Sequence, residues 1–197
     1  MTLAVSRPTL IDALWPAGAT PAVRWTVLTL AGSLLLSASA KAQLPMWPVP
    51  MTMQSFVVLV IGMAYGARLA GATVALYLFE GAFGLPVFAG TPEKGIGLAY
   101  MAGPTGGYLA GFALAAIAMG WLAERGWDRN ALLSVAAMTI GTVLLFVPGV
   151  AWLSVLVGFE KAVQAGLVPF LVGSVLKLGL AAAVLPLAWK AVELRKF

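Results

Sequence analysis

The stretch GLVPFLVGSVLKLGLAAAVLPLAW, residues 166–189, carries a single charge, Lys177, across its whole length. As a helix rising 1.5 Å per residue it reaches roughly 36 Å, more than the ~30 Å hydrocarbon core of a bilayer. The stretch therefore predicts a membrane-crossing helix. Lys177 lies roughly 16–18 Å from either end. An ammonium at that depth costs about 2.5–3.5 kcal/mol on insertion scales, so it is expected to face a polar cavity or a partner and to mark function. Ser174, three residues earlier, falls on the same helix face.

The rest of the chain agrees with this solvent. Of 197 residues, 61% are hydrophobic and 10% charged, with a mean hydropathy of +0.98, where a soluble domain carries roughly 25% charged residues. Too few charges are present to cover a water-facing surface, so the expected class is an all-α, polytopic membrane protein. The net charge is +5, but the basic residues are scattered between apolar segments, as topology signals are, and form no nucleic-acid patch. There are no cysteines and no histidines. That removes disulfides, thiol nucleophiles, zinc sites, histidine-ligated haem and the commonest general base, so neither an enzyme nor a metal or cofactor is expected. The opening MTLAVSRPTLIDALWPAGATPAVRW lacks the basic, apolar and small-residue order of a signal peptide and reads as a short cytoplasmic tail.

Apolar runs at about 25–44, 52–66, 69–84, 104–123, 131–147 and 166–189 predict six transmembrane helices. They form a membrane domain over 25–190 between tails at 1–24 and 191–197. Pro45, Pro48 and Pro50 in PMWPVP end the first run. Thr52 is expected to cap the second helix. GARLAG (66–71) is a turn, 85–103 the longest break, ERGWDRN (124–130) a charged turn, and Pro148-Gly149 an interruption before the short piece VAWLSVLVGF. With the N-terminus inside, Arg7, Arg24, Arg68, Arg125, Arg129, Lys190, Arg195 and Lys196 lie on the inner side, against Lys41, Lys94 and Lys161 outside. That asymmetry places both termini in the cytoplasm and 45–51, 85–103 and 158–168 outside.

GPTGGYLAGF (103–112) lacks the lysine and hydroxyl that close a nucleotide-binding P-loop, so the chain is not expected to hydrolyse ATP itself. Thr105, Gly106, Gly107, Tyr108 and Gly111 offer either a smooth face for tight helix packing or a binding site at the outer mouth of the fourth helix. Glu80, the one acid within a span, either pairs with Lys177 or faces water. Trp47, Phe88, Tyr100, Tyr108 and Trp152 suit an interfacial belt, and Trp47 and Phe88 suit equally a cover over a small apolar ligand. Thr52, Gln54 and Thr105 are polar candidates near the same mouth.

Four strings in order, PMWPVPMTMQ (45–54), GLPVFAG (84–90), GPTGGYLAGF (103–112) and PFLVGSVLK (169–177), resemble the BioY family, the biotin-binding membrane subunits of energy-coupling-factor (ECF) vitamin transporters. The resemblance spans roughly 25–190. It implies a six-helix S-component in the bacterial cytoplasmic (inner) membrane, binding biotin near the outer face through outer loops and the fourth and sixth helices. The implied partners, besides lipid, are a coupling transmembrane subunit and two ATPase subunits. The family's sixth-helix pattern places an aspartate and a lysine in the biotin site. Lys177 matches the lysine, while Ser174 stands where aspartate is usual and offers a hydroxyl without a charge. Lys177 then meets either the carboxylate or the ureido ring. Ala38 and Ala42, at i and i+4, resemble the small-residue surface such subunits turn toward the coupling subunit. An S-component for another small vitamin, an intramembrane enzyme around Glu80 and Lys177, and an assembly scaffold are the competing classes.

Overall fold

A computed structural model describes residues 7–15, 20–44 and 46–194. Pro45, Arg195 and Lys196, and the parts of the tails at 1–6, 16–19 and 195–197, lie outside the described residues.

The expected N-terminal tail is partly helical. The Thr9 hydroxyl accepts from Asp12 N while the Asp12 carboxylate accepts from Thr9 N at 2.9 Å, a reciprocal cap that starts α1, Leu10–Leu14. Arg24 pairs with Asp12. Thr20 caps α2, Pro21–Lys41, with Pro21 at the first position where no N–H is needed, so this helix starts before residue 25.

After α2 the chain forms a small hairpin. Strand β1, Gln43–Leu44, pairs antiparallel with β2, Met51–Thr52, in the register Gln43 with Thr52 and Leu44 with Met51. Thr52 is a strand residue, yet its hydroxyl accepts the N–H of Gln54, the first residue of the next helix, at 3.3 Å, so it caps from one position earlier than the formal N-cap. The residue before α3, Gln54–Tyr65, is Met53, which makes no side-chain cap. The expected 66–71 turn shrinks to Gly66 at φ +81°, a conformation that L side chains rarely adopt, and α4, Ala67–Ala82, begins at once. Glu124 serves as its N-terminal acceptor, taking the Ala67 N–H at 2.9 Å.

The 85–103 segment contains α5, Gly97–Met101, and leads into α6, Gly106–Ala123. A 3-10 turn at Trp127–Arg129 precedes α7, Ala131–Val157. Pro148 does not end α7, and the expected interruption there is absent. One missing N–H is tolerated where helix neighbours hold the backbone. The 158–168 outer loop is largely α8, Phe159–Gly166, and α9, Val168–Leu194, runs through Pro186.

Helix α6 is the centre, packed against α3, α4 and α7. A Cβ on Gly107 would sit 2.3 Å from the Pro148 carbonyl oxygen, and one on Gly111 2.5 Å from that of Leu145, so the opening glycines of α6 let α7 approach backbone to backbone. At the end carrying the N-terminal segment, Trp189 packs with Leu10 and Val192 and donates its indole N–H to Asp128, which is 1% exposed. The expected charged turn at 124–130 keeps Arg125 and Arg129 exposed and sends Asp128 inward as an anchor.

Among the described residues, α2, α6, α7 and the region Phe159–Glu193 are long and apolar enough to cross a membrane. Helices α3 and α4 have 12 and 16 residues. The expectation of six spans therefore rests on four helices of full length. Leu34, Val155, Val172 and Leu176 are strongly exposed, as side chains facing hydrocarbon would be.

Candidate functional site

Two cavities compete. The larger, about 620 Å³, is a groove between α7, α8 and α9 lined by Val143, Val147, Val150, Phe159 and Leu171. Its two hydroxyls, Thr142 and Ser154, spend their donors on carbonyls of their own helix at 2.7 and 2.6 Å, and no charged or amide side chain joins them in the lining. The other lies under the hairpin and combines an apolar wall with a few convergent polar groups, the pattern of a small-molecule site.

This site has two chambers sharing Ser55, Leu145 and Phe146 as walls. The upper, about 50 Å³, is roofed by Val49, Pro50 and Thr52 of the hairpin and by Ala89 and Tyr100 of the 85–103 segment. Its sides are Gln54, Thr105, Tyr108, Leu109, Phe112 and Phe170. The lower, about 10 Å³, holds Ser174 and Lys177 of α9 against Phe56, Leu59 and Thr142.

Lys177 is the electrostatic centre. It donates to the Thr52 carbonyl oxygen at 2.6 Å and to the Ser55 hydroxyl at 2.9 Å, which uses two of three ammonium donors and ties α9 to the base of the hairpin. Glu80 is not its partner: the carboxylate accepts from Ser33 and joins α2 to α4.

A second chain of bonds holds the roof. Gln54, 3% exposed, donates through Nε2 to the Tyr77 hydroxyl at 2.6 Å, and Tyr77 donates to the Val87 carbonyl at 3.3 Å. Tyr100 donates to the Ala89 carbonyl at 2.8 Å, and burial pushes its phenol above the ordinary tyrosine range, so it stays a neutral donor at physiological pH. Tyr108 donates to the Gly166 carbonyl at 2.8 Å, fixing α6 to the end of α8, just ahead of α9.

The structure thus gathers Thr52, Gln54, Thr105, Tyr108, Ser174 and Lys177 around one space. Four other expected site residues stand outside its wall. Trp47 is 82% exposed, and Phe88 is buried behind the wall, stacked on Tyr100 at 4.9 Å. Gly106 and Gly107 face Met101 O and Pro148 O and serve packing. Ala38 is exposed on α2, and Ala42, expected on the same helix, is exposed just past its end as the C-cap residue. Sequence reasoning missed Ser55, Phe112, Phe146 and Phe170, which nothing but their place in the fold distinguishes from other bundle residues.

A model of the BioY family matches residues 12–194. The chain belongs to that family. A probable biotin transporter BioY of Pyrococcus horikoshii is 35% identical over 73% of this chain and 82% of its own length. The biotin transporter BioY of Thermotoga maritima is 36% identical, covering 82% of this chain and 93% of its own. The crystal structure of the S-component for biotin from an ECF-type ABC transporter superposes with a TM-score of 0.73 at 20% identity, over 91% of this chain and 96% of that one, and shares the fold. A multi-pass membrane protein follows from the family and the apolar helices together.

Proposed function

We propose that this chain binds biotin in the cavity beneath the hairpin and acts as the substrate-capture subunit for biotin uptake across a bacterial cytoplasmic membrane. The observation that carries this reading is Lys177, tied to the base of the hairpin inside a largely apolar cavity with Ser55 and Ser174 beside it. Biotin presents a fused bicycle with a ureido group, an aliphatic chain and one carboxylate. It needs an apolar slot with few fixed polar groups, which Phe112, Phe146 and Phe170 together with Gln54, Thr105 and Lys177 supply. The names of the relatives support the same ligand.

The upper chamber's 50 Å³ is far below the roughly 300–1,000 Å³ of ordinary ligand pockets. The hairpin and the 85–103 segment form its roof, so on this reading they move aside for ligand to enter and close again behind it, excluding water. The role is capture without catalysis; energy comes from two ATPase subunits through a coupling transmembrane protein, for which the exposed Ala38 and Ala42 at the end of α2 are the proposed contact.

The test is uptake of labelled biotin by cells deprived of their own biotin transport, with this chain expressed alone and together with an ECF module. Saturable uptake, displaced by unlabelled biotin, is expected. No uptake in either setting, with the protein present in the membrane, would overturn the reading.

A further inference from the structure

Lys41, the last residue of α2, counts in the sequence only as an outer-side charge. In the structure its ammonium donates to three acceptors of one turn of the 85–103 segment: the Phe88 carbonyl at 3.1 Å, the Thr91 carbonyl at 2.9 Å and the Thr91 hydroxyl at 3.1 Å. All three donors are used. The Thr91 hydroxyl in turn donates to the Phe88 carbonyl at 2.7 Å, so the acceptors form one preorganised cradle.

The place of this contact matters. The held turn contributes Ala89 to the cavity roof and carries Phe88, whose ring stacks on Tyr100 and meets Tyr77 edge-on at 5.4 Å. Two residues after Lys41 the hairpin begins, closed at its base by Met53 N to Ala42 O at 3.1 Å, and it supplies Val49, Pro50 and Thr52 to the same roof. Both halves of the roof therefore meet at Lys41, one through the backbone and one through the ammonium. From inside, Gln54 and Tyr77 hold the same segment at Val87.

We propose that Lys41 is a positioning residue, a latch that holds the 85–103 segment over the cavity and sets the rate at which ligand enters and leaves. This rests on the cavity being the biotin site. Because the chamber is too small to fill without opening, the frequency of opening limits exchange in both directions. Breaking the latch raises both rates and leaves their ratio nearly unchanged, a signature that loss of a ligand contact does not give.

The experiment uses the full chain in detergent or nanodiscs, with Lys41→Met to remove the donors while keeping the stem, Lys41→Arg to restore them, and Thr91→Val to remove one acceptor. Hydrogen exchange of residues 87–95 is followed without ligand, and association and dissociation of labelled biotin are timed. For Lys41→Met, faster exchange at 87–95 is expected, with both rates raised about tenfold, equivalent to about 1.4 kcal/mol, and Kd within about threefold. Lys41→Arg restores the parent values, and Thr91→Val shifts them less in the same direction. Unchanged exchange at 87–95 and unchanged rates in folded Lys41→Met would overturn the latch. A weakened Kd from faster dissociation alone would overturn it too, by making Lys41 a ligand contact. Should the parent bind no biotin, the assignment of the site fails, and the exchange data still decide whether Lys41 holds the segment.

Discussion

Lys177→Met separates binding from stability. In the folded chain the ammonium satisfies the Thr52 carbonyl and bonds Ser55, and has one donor left for a ligand. A hydrogen bond from a charged donor is worth about 1.5–3 kcal/mol net. Losing that bond to biotin weakens Kd by about 10–150-fold, at 1.4 kcal/mol per factor of ten. Stability moves little, because two effects oppose. Orphaning the Thr52 carbonyl and the Ser55 hydroxyl costs about 1–3 kcal/mol each at most, while removing the ammonium spares the desolvation of a part-buried charge. Methionine keeps most of the stem's volume, so no large cavity opens. Calorimetric titration with biotin, alongside thermal unfolding in the same detergent, reads both. A Kd within a factor of two of the parent would remove Lys177 from the site. A collapse of the unfolding temperature would show that it serves structure instead.

Further outcomes follow from other parts of the fold. Ser174→Asp places a carboxylate one helical step from Lys177 in the lower chamber and is expected to tighten biotin binding severalfold; weaker binding in the same titration would mean that the chamber has repacked around serine. Gly111→Ala drives a methyl to 2.5 Å from the Leu145 carbonyl and should destabilise the bundle by about 1–3 kcal/mol, read as a lower unfolding temperature; an unchanged value would refute the close α6–α7 approach. Burial lifts the Asp128 carboxyl above the ordinary aspartate range, against the opposing pull of the Trp189 N–H and the nearby Arg129 and Arg7. A carboxyl raised in the folded state stabilises fully below its unfolded value and loses that contribution as pH rises through the folded one. Asp128→Asn, which keeps an acceptor for Trp189, should therefore gain stability relative to the parent over that interval, and parallel stability profiles for the two proteins would contradict this.

The spans were legible because length and apolarity are local: the runs at 25–44, 104–123 and 166–189 overlap α2, α6 and α9. Punctuation was less legible. Pro148 breaks a helix in water, but in α7 it costs one N–H bond that packing against α6 absorbs, so sequence overstated it. Two-residue strands carry no alternation to detect, and the hairpin passed as a proline-rich loop. At the site, Lys177 announced itself by the expense of a charge at that depth. Of its partners, Thr52 was a candidate from its place near the outer mouth and Ser55 was not; neither contact could be read from spacing, because the two lie 125 and 122 residues away in sequence and meet Lys177 only through the fold. Lys41 was hidden differently: an exposed lysine at a helix end is the commonest topology signal, and only three distances distinguish it from one.

Equilibrium binding of biotin to the purified full chain, with thiamine and riboflavin as controls, tests the central claim most directly. The account predicts saturable, selective binding of biotin at submicromolar concentration. A folded, monodisperse sample that ignores biotin, or that binds a control vitamin instead, would contradict it.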